Sequence, residues 1–485
     1  MKLALALPPN AAARLPRLAR LTGLTVARRR RRAIRIVWHD TTDGTLAARG
    51  LALAEQGRVW RVERLTHEDR PWPPGTAEEV LAQATALARL DHELPAGLHA
   101  VAWLEGHLST LILQKDSAEL TLTLLQGTIG GAHRRRPVCR MTLEGLAAPV
   151  LDLALGLLAE LDLAIPAGVL AAEALAAANR SGPPAPLTPE LRTGLSVGVA
   201  FTLSLGRHTD AILREAHTIL SRDPGTEPVH QMRVAVRRLR STIAVFRPVV
   251  FCPEVDAADQ GLRALADRLA PARDLDVFVA ETAATVGEAL PGDASLRRLL
   301  TTAGHHRRAA YTALRTWLGG RDFRRLIITL AALADGTAWS AAPDMAQQEA
   351  LGLKLEAFAA QALKRRLRRL TEAGDTIDHL DPTALHLIRL RAKRMRYAAE
   401  IFAPLFSRKA TARFLRRLAA VQDRLGILND GAVANTLLTD LGATTGGRAH
   451  AAGLVRGFLA ARAGDARSRI ARAWHRFLRL EPFWT

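Results

Sequence analysis

Residues 229–240 read "VHQMRVAVRRLR" and place His230, Arg233, Arg237, Arg238 and Arg240 within about three helical turns, with no acid among them. Solvated helix faces normally mix cations with Glu at i,i+4, because such pairs help and like charges at that spacing repel. A run of unmatched cations points to a counter-charge from outside the chain. Arginine forks grip phosphate oxygens in pairs, which lysine supplements as a point charge. His230, Arg233, Arg237 and Arg240 keep a 3-4-3 spacing, one residue behind the apolar stripe Val229, Met232, Val236, Leu239, Ile243 and Phe246. One residue turns a helix by about 100°, so the cations line a second stripe roughly 15 Å long beside a core-facing one. That length suits a linear chain of phosphates better than a single small anion.

The pattern recurs. "LHLIRLRAKRMR" at 385–396 sets His386, Arg389, Lys393, Arg394 and Arg396 a constant 156 positions after His230, Arg233, Arg237, Arg238 and Arg240. Its apolar stripe is Leu385, Ile388, Ala392 and Met395. The register persists from "DRLAPARD" (267–274) to "DRLGILND" (423–430), which pairs Asp267 with Asp423 and Asp274 with Asp430. One offset kept over some 45 positions marks a tandem duplication of a unit of roughly 150 residues. A lone basic face is most often a solvated surface, but duplication of the whole set argues against that here. Neither histidine has metal-ligand spacing.

Elements must hold these stripes in place. At 485 residues the chain predicts two or three domains. The net charge of +20 is uneven: residues 1–180 carry 22 Lys/Arg and 18 Asp/Glu, the remainder 45 and 29. The surplus of +16 in the later part predicts a polyanionic partner there. Cys139 and Cys252, far apart, imply neither a disulfide framework nor a metal site, and fit a reducing cytoplasm. The most apolar run, "LAAPVLDLALGLLAELDLAIPAGVLAAEALAAA", is broken by Asp152, Glu160 and Asp162 and reads as buried helix, not a membrane span.

"NRSGPPAPLTPE" (179–190) reads as a linker. Before it, "KLALALP", "RRAIRIVWHD", "RVWRVERL", "STLILQKD" and "ELTLTLLQG" read as strands, with helices at "PNAAARLPRLARLTG", "GTAEEVLAQATALARL" and "LAAPVLDLALGLLAEL". After it the period is 3.6 throughout. The expected layout is an α+β domain over 1–178, the linker, and an all-α domain over 191–485, with repeats at about 191–340 and 345–485.

"VHQMRVAVRRLRSTIAVF" and "LHLIRLRAKRMRYAAEIF", with "ARDLDVF", "LGILNDGAVA" and the ending "AWHRFLRLEPFW", closely resemble the CHAD family, the conserved histidine α-helical domain. The resemblance spans roughly residues 187–485. It implies two pseudo-symmetric four-helix-bundle-like repeats, a basic channel between them, and inorganic polyphosphate as the partner, with localisation in the cytoplasm and at polyphosphate granules. Its ligand set transfers to His230, Arg233, Arg237, Arg238, Arg240, His386, Arg389, Lys393, Arg394 and Arg396. The run "LKRRLRRL" adds Lys364, Arg365 and Arg368, with Arg366 and Arg369, as a flank. Its counterparts 156 residues earlier include His208 and Asp210, so this flank is not symmetric.

The N-terminal part is similar to the CYTH family, the triphosphate-tunnel β-barrel fold, in "KLALALPPNAAARL", "WHDTTDGTLAARGLAL" and "PVCRMTLEG". The family's opening Glu-x-Glu-x-Lys falls on Lys2 and Ala4, with its first Glu absent, and its late triple-acid strand reads Arg140, Thr142 and Glu144. Its Arg pair after "GLAL" is replaced by "AEQG". Without clustered carboxylates a Mg²⁺ site is not expected, since that ion needs hard oxygen ligands in near-octahedral array. The expectation is a degenerate CYTH-like domain, no enzyme activity and no cofactor or metal; an unrelated α+β domain is the alternative. Arg28–Arg32 and Arg134–Arg136 are candidate anion contacts or solvated loops. Metal-dependent triphosphatase and nucleic-acid binder are the competing functions. The second lacks the aromatics that base stacking needs, Tyr397 alone lying near the stripes.

Overall fold

The computed structural model describes residues 1–485 apart from 16–24, 66–96, 116–117, 132–133, 167, 180–190, 222–224, 337–338, 340–344, 373, 375, 444, 465 and 485. The expected helix at 75–90 and nearly all of the expected linker lie outside the described residues. The chain forms two compact units: Met1–Pro189 with Ile327–Ala338, and Glu190–Leu326 with Trp339–Thr485.

The first unit is built on seven strands: β1 (Lys2–Ala6), β2 (Thr25–Asp40), β3 (Leu51–Gln56), β4 (Val59–Arg64), β5 (His99–Lys115), β6 (Ala118–Gly130) and β7 (Arg135–Gly145). They form one antiparallel sheet in the order β1-β7-β6-β5-β2-β3-β4. All five segments expected as strands lie in it. Period-2 alternation gives the sheet two faces. Leu3, Leu5, Leu111, Leu113, Leu120, Leu122, Met141 and Leu143 point to one face and pack on helix α2 (Ala147–Leu158). Ile328 and Ala332 of helix α9 (Arg321–Asp335) complete that core. The other face buries Ile36, Trp38, Leu104, Leu125 and Ile129 against helix α3 (Leu170–Ala177). The apolar run expected as buried helix forms α2 and α3, parted by a segment in which Ala164 bridges Ala6 of β1.

The loop after β2 is closed by one carboxylate. Asp40 is fully buried and accepts hydrogen bonds from the backbone N–H groups of Thr41, Leu46 and Ala47, which fixes the short helix α1 (Thr45–Ala48).

Helices make up the second unit: α4 (Val197–Leu220), α5 (Glu227–Phe246), α6 (Pro253–Val277), α7 (Ala283–Ala289), α8 (Ala294–Leu318), the start of α9, α10 (Met345–Gly352), α11 (Leu355–Thr371), α12 (Pro382–Phe402), α13 (Arg408–Asp440), α14 (Gly446–Gly464) and α15 (Ala466–Leu478). Their starts carry ordinary signals. Asp293 and Asp381 cap α8 and α12 by accepting the N–H of Leu296 and Ala384, each at 2.8 Å, and Pro228 and Pro382 sit in first turns. The expected apolar stripes are the buried faces of α5 and α12. Phe246 and Phe402, matched residues of the two copies, meet at 6.0 Å between ring centroids, and Phe358 of α11 lies 5.2 Å from Phe246. No helix among the described residues is long and apolar enough to cross a membrane.

Candidate functional site

The aromatic contacts at the C-terminal ends of α5 and α12 bring the two basic helices together. Arg238 of α5 lies 3.8 Å from Glu400 of α12, and the charge of Arg233 is felt by Tyr397. Phe246 is thus in ring contact with both Phe402 of α12 and Phe358 of α11.

On α5, Arg237 and Arg238 are exposed, while His230, Arg233 and Arg240 are partly buried. Burial pulls the Arg233 guanidinium below its ordinary pKa, Asp274 opposes this, and Arg237 and Arg273 reinforce it. Burial also lowers the His230 imidazole, with Arg273, Arg237 and Arg233 acting in the same sense and Glu227 against them. Arg273, from α6, is a cation that spacing on α5 could not reveal. The "ARD" of "PARD" was its only trace in the sequence.

Arg240 differs from the others. Its Nε donates to Asp259 of α6 at 3.2 Å, and Asp259 also accepts from Arg263. On α12, Arg396 donates to Glu400 at 2.8 Å and to Gln422 of α13 at 3.1 Å. The expectation that counter-charges come wholly from outside the chain is therefore corrected for Arg240, Arg396 and in part Arg238. The acids lie beyond the stripe, one of them on another helix, where the i,i+4 pattern within "VHQMRVAVRRLR" is blind to them. His386 and Arg394 are exposed, and Arg389 and Lys393 are partly buried.

The flank on α11 is close to this surface. Arg366 donates through Nη2 to the Ala244 carbonyl near the end of α5, at 3.2 Å. Burial, then Arg365, Arg369 and Arg394, push its pKa down to about 10, so it remains charged at neutral pH. Lys364, Arg365 and Arg368 are exposed on the same helix. On α4, burial and then Arg238 and Arg207 depress His208 to about 4. His208 is thus a neutral group beside the stripe where its counterpart, Lys364, is an exposed lysine. The side chain of Asp430, matched to Asp274, lies outside those described.

In the sheet unit, the positions compared with the triphosphate-tunnel acids do face one another. Lys2 pairs with Glu144, Ala4 with Thr142 and Ala6 with Arg140 across β1 and β7. Lys2 Nζ sits 3.1 Å from Glu144, and Arg140 and Arg136 both bind Glu173 of α3. Glu144, the one acid among these compared positions, is thus paired with a lysine. Arg28–Arg32 lie exposed on β2 rather than in a loop, and Arg135 of the second basic run stacks over Trp103 at 5.3 Å. Among the described residues no three His, Cys, Asp or Glu side chains group as metal ligands.

An all-helical unit with a basic helix presented twice defines the class of domain. Residues 204–439 match the CHAD domain family, and the chain carries a CHAD domain. The crystal structure of the CHAD domain from the plant Ricinus communis is similar at 28% identity and a TM-score of 0.50, over 59% of this chain and 94% of that one. PptA from Streptomyces chartreusis aligns at 16% identity and a TM-score of 0.45, over 58% of this chain and all of that one. An uncharacterized protein of Mycobacterium tuberculosis is 34% identical over 178 residues, 36% of this chain. The chain spans about a third of that relative's length, 34%.

Proposed function

We propose that the helical unit binds inorganic polyphosphate along the joined basic surface of α5, α12 and α11, and that its two repeats are related by a pseudo-twofold. The observation that supports the reading is that Arg366 of α11 reaches the Ala244 carbonyl of α5 at 3.2 Å and Arg238 of α5 lies 3.8 Å from Glu400 of α12, so three helices that each carry a run of cations meet there. Such crowding costs stability in the free protein and is relieved by a ligand carrying many negative charges along its length. Arginine forks favour phosphate oxygens for that role. Multivalent contact follows, because a long chain engages both stripes while a short one reaches a single stripe.

The sheet unit is read as a degenerate CYTH-like domain without metal-dependent triphosphatase activity. The Lys2–Glu144 pair supports this, since it places an ammonium where a second carboxylate would be needed. Association with polyphosphate granules in the cytoplasm follows from the ligand. Nucleic acid is the competing polyanion, as any basic surface attracts one. Competition between long-chain polyphosphate and single-stranded RNA for the full chain tests the reading. Polyphosphate is expected to displace RNA at equal phosphate concentration; displacement of polyphosphate by RNA would reverse the assignment.

A further inference from the structure

A second basic feature lies away from this surface, between α13 and α15. A cavity of about 340 Å³ is lined by Arg417 and Arg424 of α13, Arg469, Arg472 and Arg476 of α15, and two alanines, with no acid in the lining. Arg417, Arg424, Arg472 and Arg476 belong to none of the ion pairs among the described residues. Each row covers seven residue-to-residue steps, about 10.5 Å of helix. The cations therefore face one another in two short rows across a groove.

The groove is separate from the α5/α12 stripes. Gln422, which holds Arg396 of α12, stands two residues before Arg424 on α13. At about 100° per residue the two side chains leave the helix some 200° apart, on nearly opposite sides. The groove is also particular to the second repeat. The residue 156 positions before Arg417 is Gly261, where an added Cβ would stand 2.8 Å from Leu326 of α9. The first copy closes that place with packed leucine, while the second keeps arginine there. Below the groove, Phe414 meets Phe477 and Phe483 at 5.3 Å each and Trp484 at 5.5 Å, so the rows are held at a fixed separation before any ligand arrives.

We propose that this groove is a second binding site, for a short run of about three linked phosphates. Five guanidinium groups on two rigid walls bind several phosphate oxygens bidentately, and the groove's length limits the ligand to a compact oligophosphate. The site is independent of the polyphosphate reading for α5 and α12. Both inorganic triphosphate and a nucleoside triphosphate carry the group.

The test uses the full chain in two forms, wild type and a stripe-neutral variant (R233Q/R237Q/R389Q/K393Q), titrated calorimetrically with inorganic triphosphate and with ATP. The stripe-neutral chain is expected to retain one triphosphate site, and adding R472Q/R476Q to weaken it at least tenfold. The tighter of the two ligands identifies the source of the phosphates. Failure of the stripes as a polyphosphate site appears separately, as identical long-chain binding by wild type and stripe-neutral protein. R424Q, alone on the opposite wall, gives the same direction of change should the double variant not fold. Triphosphate affinity unmoved by R472Q/R476Q and by R424Q, or absent from the stripe-neutral chain, overturns the proposal.

Discussion

Arg240 and Arg396 occupy matched places in the two copies of the basic helix, yet they are held by acids from unmatched places. Asp259 of the following helix holds the first, whereas Glu400 of its own helix holds the second, with Gln422. Moving 156 positions from Asp259 gives Leu415, and from Glu400 gives Ala244. At the constant offset of 156 the cations match while their counter-charges do not. An arginine tied to an acid contributes less to a ligand than one facing solvent, because the ligand must compete for it. On α5 this ranks the exposed Arg237 ahead of Arg240, which Asp259 holds.

The largest effect expected from that ranking is charge reversal at its top. R233E/R237E should lower affinity for long-chain polyphosphate at least a hundredfold and flatten its salt dependence, because fewer counterions are released. Filter binding across a salt series checks both, and a parallel salt line would remove these residues from the contact. Neutralising one stripe alone should abolish the steep rise of affinity with chain length while sparing triphosphate. Titration with phosphates of increasing length shows this, and parallel curves for wild type and variant would mean the stripes do not share a chain.

A smaller effect separates the copies. Asp259→Asn frees Arg240 and should tighten polyphosphate binding about threefold, while R240Q should change it less than R237Q does. R240Q should instead lower stability by about 1 kcal/mol, through loss of a partly buried charged hydrogen bond. Denaturant melts of the two variants compare these directly.

The smallest is a matter of pH. His208 has a folded-state pKa of about 4, below its unfolded value near ~6.5. Its neutral form is favoured by folding, so stability is full above the unfolded value and falls as pH drops from ~6.5 towards 4. H208Q should shallow that fall in thermal melts. His230, also lowered, should charge on meeting phosphate, so binding should strengthen as pH falls, over a window below the ordinary imidazole value. H230Q should lose this gain, measured as affinity at pH 7.5 against 5.5.

Much was legible in the sequence because the relevant physics is local. Apolar residues at 3.6 spacing specified α5 and α12, and the buried set Val229, Met232, Val236 and Leu239 is the one their spacing gives. Alternation specified β1, β2, β4, β5 and β6, and the repeated cations stood out because an offset needs no geometry. What lay outside local reach was decided by packing between distant segments. Phe246 met Phe402 across 156 positions, Asp259 took Arg240 from nineteen residues away, and Asp274 and Arg273 joined Arg233 from α6. The groove of Arg417, Arg424, Arg472 and Arg476 exists only because aromatic contacts seat α15 on α13. Periodicity reads which face of a helix is buried, since water enforces that face residue by residue. Which charges then meet depends on how the buried faces interlock, and that only the tertiary structure decides.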